Sequence, residues 1–221
     1  MDLVLDPVEV RVLGSLVEKQ ITTPEYYPLS LNALTHACNQ KSSRDPVVSY
    51  DEKTVTQALD SLRDKKLVWL FRGADSRVPK YGHIFPEAYD LNNKEVAVMC
   101  VLMLRGPQTV GEVRGRTAPL YSFESLAEVE STLEGLIDRD AQNLVVKLPR
   151  LAGMKESRYA HILSGPVAVE EIEVALRTET RTGKAQALEE RVNNLQQEVA
   201  QLREELASLG QQFSDFKKQF E

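Results

Sequence analysis

Histidine and cysteine are the residue types best suited to catalysis or metal binding, and the chain has only three histidines and two cysteines. His36 and Cys38 lie two positions apart, but they make a poor zinc site because structural zinc takes four ligands. His83 and His161 occupy matching positions in the similar segments KYGHIF and RYAHIL, which indicates a shared structural role. The sequence contains no nucleophile elbow, phosphate-binding glycine loop or paired-carboxylate motif. We therefore predict no enzymatic activity, no catalytic residue, no metal and no cofactor.

Basic and polar residues in the first half form a second pattern, which suits contact with the phosphates of duplex DNA. A helix predicted to begin at Asp51 presents Lys53, Thr54 and Gln57, and the neighbouring loops add lysines and arginines. The predicted contact set is Lys41, Arg44, Lys53, Thr54, Gln57, Arg72, Arg77 and Lys80. The matching helix of the second half, 124–140, has six acidic residues against Arg139 alone, so a phosphate backbone would repel it.

The elements that must position these residues occur twice in the chain. The segments TVTQALDSLRD and AEVESTLEGLID carry apolar residues at nearly the same helical spacing, and each is followed by a β-rich run, a loop and a closing strand. The repeated apolar positions are Val55, Leu59 and Leu62 in the first copy, and Val129, Leu133 and Leu136 in the second. The pattern predicts a mainly α fold with small β-hairpins (α+β). It consists of two tandem winged-helix domains, residues 1–90 and 91–165.

Residues that accept hydrogen bonds from unpaired backbone N–H groups mark the expected helix starts. Asp6 followed by Pro7 is a strong signal, because proline fits the first helical turn. The expected caps are Asp6, Ser30 and Asp51 in the first half, and Asn93 and Thr109 in the second. The pair Val47-Val48 is expected to form the small additional strand of the first domain.

The C-terminal segment 184–221, which follows a predicted linker at 166–183, has the most regular apolar pattern in the chain. Its apolar residues alternate at steps of four and three, as in a coiled coil, and valine and leucine at the inner positions favour two parallel strands. We therefore predict a homodimer, while antiparallel pairing and packing of this helix on its own domains remain alternatives. The predicted dimerisation residues are Leu188, Val192, Leu195, Val199, Leu202, Leu206 and Leu209, and the apolar seam continues to Phe213, Phe216 and Phe220.

Composition narrows the class of protein. The net charge is −6, and the acidity is concentrated beyond position 165, where 11 acidic residues face 7 basic ones. Neither half is strongly basic, which lowers the expectation of nucleic-acid binding. No apolar run approaches the roughly 20 residues of a membrane span, and no signal peptide is recognisable. We expect a cytoplasmic protein without membrane contact, in which Cys38 and Cys100 are buried thiols and not a disulfide.

Several longer segments have a distinctive sequence. They are 18–30 (EKQITTPEYYPLS), 36–41 (HACNQK) and 44–47 (RDPV) in the first half, and 104–109 (LRGPQT), 128–133 (EVESTL) and 156–159 (ESRY) in the second. Together these segments resemble the YceH family of bacterial proteins. The resemblance extends over about 7–165. It implies a tandem winged-helix fold with a heptad-like C-terminal helix, and it supplies no catalytic or ligand-binding residue.

Two functions are compatible with this architecture. The first is DNA binding, or regulation of transcription, through the first domain. The alternative is a protein-bridging module without direct DNA contact, similar only in fold to the chromosome-segregation accessory ScpB. In that case the acidic third helix of the second domain is the expected docking surface for a protein partner. A DNA-binding protein should bind random duplex DNA with an affinity that falls steeply with salt, whereas a bridging module should show no binding even at low salt.

Overall fold

The computed structural model describes residues 4–72, 78–139, 142–150 and 156–165. In these residues, helices combine with small antiparallel sheets, which confirms the α+β fold class. The helices are α1 (Pro7–Thr22), α2 (Leu31–Cys38), α3 (Glu52–Asp64), α4 (Phe85–Tyr89), α5 (Asn93–Arg105), α6 (Val110–Thr117) and α7 (Leu126–Ile137). The strands are β1 (Leu29–Ser30), β2 (Val68–Phe71), β3 (Lys80–His83), β4 (Val145–Lys147) and β5 (Tyr159–His161). The predicted linker and coiled-coil seam, and Arg77, lie outside the described residues.

Helix starts follow the predicted capping residues closely. Asp6, Ser30, Asp51 and Thr109 each accept a backbone N–H at the start of α1, α2, α3 and α6. The prediction of Asn93 as the cap of α5 is wrong, since Asn92 holds that position. The side chain of Asn92 accepts the N–H of Glu95 at 3.1 Å, and the Glu95 carboxylate accepts the N–H of Asn92 at 2.9 Å. This reciprocal arrangement needs a glutamate three residues after the cap, which selects Asn92 over Asn93.

The sheet of the first half has three strands in the order β1-β3-β2. Leu29 pairs with Tyr81, and Val68 pairs with His83, both in antiparallel register. The prediction of a strand at Val47-Val48 is wrong, because β1 supplies the additional strand. The connection from α2 to α3 is held by side chains instead of a sheet. For example, the Asn39 amide accepts the Tyr50 N–H at 2.8 Å and donates to the Tyr50 carbonyl at 2.7 Å.

The two halves, which have similar sequence patterns, also have equivalent backbone hydrogen bonds. The pairs Val68–His83 and Val145–His161 occupy the same register position in the two hairpins. After the third helix of each half, the Leu67 N–H donates to the Leu62 carbonyl at 2.9 Å, and the Leu144 N–H donates to the Leu136 carbonyl at 3.0 Å. Val55 and Val129 are both fully buried on these helices. The two halves therefore share one local plan.

An ion pair that the sequence reasoning missed is also duplicated. Lys65, just after α3, donates to the Glu9 carboxylate at 2.6 Å, and Arg139, after α7, donates to Glu95 at 3.2 Å. Each glutamate also closes the capping box of its helix. Burial raises the pKa of Glu9, but hydrogen bonds from Lys65 and Ser61 outweigh burial and hold the pKa below its ordinary value. The pair joins the first and third helices of each half.

Helices α1 and α5 lie at the centre of the described structure. Residues 9–18 of α1 and 96–104 of α5 are buried without interruption, as expected for helices that are covered on all sides. The two helices contact each other. The helices approach closely at Gly14, where a Cβ atom would lie 3.1 Å from side-chain atoms of Leu104 and Met103. Buried residues of both halves form one hydrophobic cluster, so the halves share a core.

We expect Gly14→Leu to lower the free energy of unfolding by about 1–3 kcal/mol, because the added side chain overpacks the contact between α1 and α5. Urea denaturation monitored by circular dichroism measures the change. Gly111→Leu is the matched control, since a Cβ atom at Gly111 meets nothing within 4 Å and helices prefer leucine to glycine. Equal stability of the two variants would contradict the close approach at Gly14.

Candidate nucleic-acid interface

The exposed side of α3 carries two of the residues predicted to contact DNA. Lys53 and Gln57 are exposed and one helical turn apart, while Val55 and Leu59 are buried in the core. Thr54 is half-buried, and its N–H donates to the side chain of Asp51 at 2.8 Å. The helix therefore positions a cation and an amide toward solvent on its first two turns, and these types bind phosphates and base edges in DNA complexes.

The hairpin β2–β3 and the loop after α2 carry the other predicted contacts. Arg72 and Lys41 are exposed, and Lys80 is half-buried. Strand pairing places Lys80 between Phe71 of β2 and Ser30 of β1. Helix α3 packs against β2, so the helix and the hairpin are neighbours in the fold. Arg77 lies outside the described residues, and its contact with DNA stays a prediction.

Arg44 is not available to contact DNA, and its assignment to the contact set is wrong. Its side chain has 0% exposure, and its guanidinium donates to both carboxylate oxygens of Glu18, at 2.9 and 2.7 Å. It also donates to the carbonyl of Ala37 at 3.1 and 2.8 Å. A buried carboxylate needs such a partner, because an unpaired charge in the interior costs several kcal/mol. Arg44 therefore connects the loop after α2 to α1 through its ion pair with Glu18.

Two aromatic side chains on the outer face of the hairpin were missed. Trp69 is 37% exposed and Phe71 is 46% exposed. Their rings pack edge to face, with a distance of 6.4 Å between the ring centroids. The Trp69 ring covers Gly82, where a Cβ atom would lie only 2.4 Å from it. The alternation in Val68–Phe71 predicts this arrangement, because every second residue of a strand points to the same face. We call Trp69 and Phe71 the aromatic face.

The paired strands of the second half carry no equivalent of the aromatic face among their described residues. The register position of Trp69 opposite Gly82 is occupied by Val146 opposite Ala160. The two copies share their core residues and strand register, but their surfaces differ. The aromatic face is therefore particular to the first half, and the shared fold does not require it.

The surface of the second half is acidic around α7. Glu130, Glu134 and Asp138 are exposed on or just after the helix, and Glu124 is exposed before it. Glu128 is paired with Lys94 at 2.6 Å. Arg139, the basic residue of this segment, is directed to Glu95 and to the carbonyls of Tyr89 and Asp90. The acidic residues on α7 are thus not neutralised by Arg139.

The histidines and cysteines do not assemble into a reactive group in the described structure. His36 is exposed whereas Cys38 is fully buried, so the two side chains point in different directions. Burial raises the pKa of Cys38 to about 11, and it lowers the pKa of both His83 and His161 to about 4. No three His, Cys, Asp or Glu residues of the described part are grouped so that they could hold a metal ion. The predicted lack of enzymatic activity stays a prediction.

No helix in the described part of the chain has the length and apolar character needed to cross a membrane. The prediction that Cys38 and Cys100 are buried thiols is confirmed, since both are free and buried.

Comparisons with known proteins identify the family. A sequence family described as "Protein of unknown function, DUF480" matches residues 5–154. A UPF0502 protein of Opitutus terrae is 60% identical over 172 residues, which cover 78% of this chain and 75% of the relative. A UPF0502 protein of Solibacter usitatus is 52% identical over 88% of this chain and 94% of the relative. A UPF0502 protein of Geotalea daltonii is also 52% identical, over the full length of both chains (100% of each). The chain therefore belongs to the DUF480 family, the YceH-type family of bacterial UPF0502 proteins, as its sequence segments had indicated.

Proposed function

We propose that this chain is a cytoplasmic, non-enzymatic protein of two winged-helix domains, residues 1–90 and 91–165, that binds duplex DNA through the first domain. The order of elements supports the winged-helix assignment. In each half, three longer helices precede an antiparallel hairpin, and in the first half β1 adds a third strand. The matching hydrogen bonds after α3 and α7 support a duplication of one domain.

The observation that carries DNA binding is the exposed pair Lys53 and Gln57 on α3. In helix-turn-helix proteins the equivalent helix enters the major groove, where lysine binds phosphates and glutamine bonds adenine. The loop after α2 and the hairpin supply further cations beside α3. With Arg44 removed, the proposed contact set is Lys41, Lys53, Thr54, Gln57, Arg72, Arg77 and Lys80.

The predicted C-terminal coiled coil, 184–221, is part of the same proposal. We infer from the heptad spacing of its sequence, which begins at Leu188, that this segment would pair two chains into a homodimer. Parallel pairing would bring two first domains together, and a two-fold symmetric protein suits a palindromic DNA site. The acidic α7 would keep the second domain away from the phosphate backbone.

We expect the parent protein to bind random-sequence duplex DNA with an affinity that falls linearly with salt on a double logarithmic plot. The double variant Lys53→Ala/Lys80→Ala should bind more weakly, and its salt slope should flatten by about 2, roughly one unit for each phosphate contact removed. Fluorescence anisotropy of a labelled duplex across a potassium chloride series measures both quantities.

Arg114→Ala is the matched control, because Arg114 is an exposed cation on α6 of the second half. This variant should retain the parent's affinity and salt slope. A double variant that binds like the parent would remove Lys53 and Lys80 from the contact set. If the parent itself binds no DNA at low salt, the whole DNA-binding proposal fails.

Protein bridging is the second candidate, and two exposed surfaces favour it. The aromatic face offers apolar area of the kind that is enriched in protein interfaces. The exposed residues Glu130, Glu134 and Asp138 form a negatively charged surface that would attract a basic partner. In this function the buried contact between α1 and α5 would hold the two surfaces on one protein, so that it could connect two partners.

A further inference from the structure

A cleft lies where the two halves meet, beside the C-terminal ends of α1, α5 and α6 and the loop 40–43. Its volume is about 370 Å³, within the range typical of small-molecule sites. Val101, Leu104, Pro119 and Leu120 supply apolar lining, and Gln40, Ser42 and Ser43 supply polar lining. The cleft combines elements of both halves, so neither half forms it alone.

The charged side chains that line the cleft are mainly cationic. Lys19, Arg105 and Arg116 face a single acidic residue, Glu18. Both oxygens of Glu18 are already bonded to Arg44, at 2.9 and 2.7 Å. The nearest oxygen of Glu18 lies 3.5 Å from the Lys19 ammonium, a longer contact than either bond to Arg44. The positive charge of the lining is therefore only partly balanced.

Arg105 is the least satisfied of these cations. Its side chain is half-buried, and among the described residues its guanidinium makes no hydrogen bond or ion pair. Burial lowers the pKa of Arg105, the charges of Arg116 and Arg44 lower it further, and the acidic residues Glu18 and Asp45 only partly offset this effect. An anion bound between Arg105 and Arg116 would relieve the repulsion between these like charges.

Arg116 is only weakly neutralised from the protein side. It donates to the side-chain oxygen of Gln108, and its distance to the Glu112 carboxylate is 3.9 Å. Glu112 lies much closer to Arg158, at 2.6 Å. Arg116 can therefore contribute to binding an anion in the cleft without giving up a strong ion pair.

We propose that this cleft binds a small molecule that carries a phosphate group. Arginine matches the oxygens of phosphate in a bidentate manner, and Arg105 and Arg116 with Lys19 supply the opposite charge for a group with more than one negative charge. The apolar wall formed by Val101, Leu104 and Leu120 would contact the body of the ligand. Because the ligand touches both halves, binding stabilises their contact. This site does not depend on the proposed DNA binding.

Pyrophosphate is the probe for the test, and the full chain is titrated with it by isothermal calorimetry at constant ionic strength. We expect saturable binding to the parent and a higher melting temperature in its presence. Arg105→Gln should weaken the affinity at least about tenfold, because a charge-assisted hydrogen bond is worth roughly that factor. Without pyrophosphate, this variant should melt no lower than the parent, since Arg105 makes no bond within the described protein.

Arg114→Gln is the matched control, since Arg114 lies on the same helix as Arg116 but does not line the cleft. It should bind pyrophosphate like the parent. Arg116→Gln provides a second removal of charge from the cleft and should also weaken binding. Absence of saturable binding to the parent, or equal binding by the Arg105, Arg116 and Arg114 variants, would overturn the proposal. Competition by duplex DNA that disappears in Arg105→Gln would assign the cleft to nucleic-acid phosphates instead.

Discussion

Replacement of Arg44 by alanine should lower the free energy of unfolding by about 3–5 kcal/mol, the usual cost of leaving a buried charge without its partner. The Glu18 side chain is only 12% exposed and has both oxygens bonded to Arg44. Its remaining cation, Lys19, is at 3.5 Å and lies nearer the surface. The loss of Arg44 also leaves the carbonyl of Ala37 without its two N–H donors from that side chain.

Equilibrium denaturation in urea measures the effect, and Lys41→Ala is the matched control. Lys41 is an exposed cation of the same loop, and a surface change of this kind alters stability by less than about 0.5 kcal/mol. The double variant Glu18→Gln/Arg44→Ala should recover part of the loss, because the uncompensated charge is removed with its partner. If Arg44→Ala were as stable as Lys41→Ala, Arg44 would belong on the surface and return to the DNA contact set.

The burial of Arg44, which was not predicted, shows the limit of what a single sequence can predict. Capping residues act within one turn of the chain, so Asp6, Ser30 and Asp51 were predictable from their types and neighbours. Arg44 resembles any loop arginine in the sequence, and its burial depends on Glu18, 26 positions away. Long-range packing of this kind leaves no local signal in a single sequence. The same reason explains why β1, which depends on pairing with β3, was missed.

The candidate surfaces divide in the same way. Exposure of Lys53 and Gln57 followed from the helical period, since the apolar residues of α3 fix its inner side. The aromatic face was also accessible to the alternation rule in VWLF, but it was not recognised. The cleft was not predictable, because the contact between the halves brings Lys19 of α1 next to Arg105 of α5 and Arg116 of α6. The acidity of α7 was predictable directly from the number of acidic residues in its segment.

The second large effect expected is a loss of stability below neutral pH to which both His83 and His161 contribute, and the part due to His83 can be isolated. This histidine is 4% exposed, and burial lowers its pKa to about 4, compared with about 6.5 for an unfolded chain. Its Nδ1 accepts the Phe85 N–H at 3.2 Å, which requires the neutral ring. Between these two pKa values the unfolded chain binds one more proton than the folded protein. The stabilisation is therefore present above the unfolded pKa and is lost as the pH falls.

From pH 7 to pH 5, His83 alone should reduce the free energy of unfolding by about 2 kcal/mol. His83→Asn should abolish this part of the loss, because asparagine does not titrate and its side-chain oxygen can still accept the Phe85 N–H. Denaturant unfolding at several pH values measures the slope. Values above pH 5 are the informative ones, since carboxylates with lowered pKa, such as Glu9 and Glu112, lose their contribution mainly at lower pH. His36→Asn, at an exposed position, is the control and should keep the loss. A His83→Asn protein with the parent's pH slope would show that folding does not lower the pKa of His83.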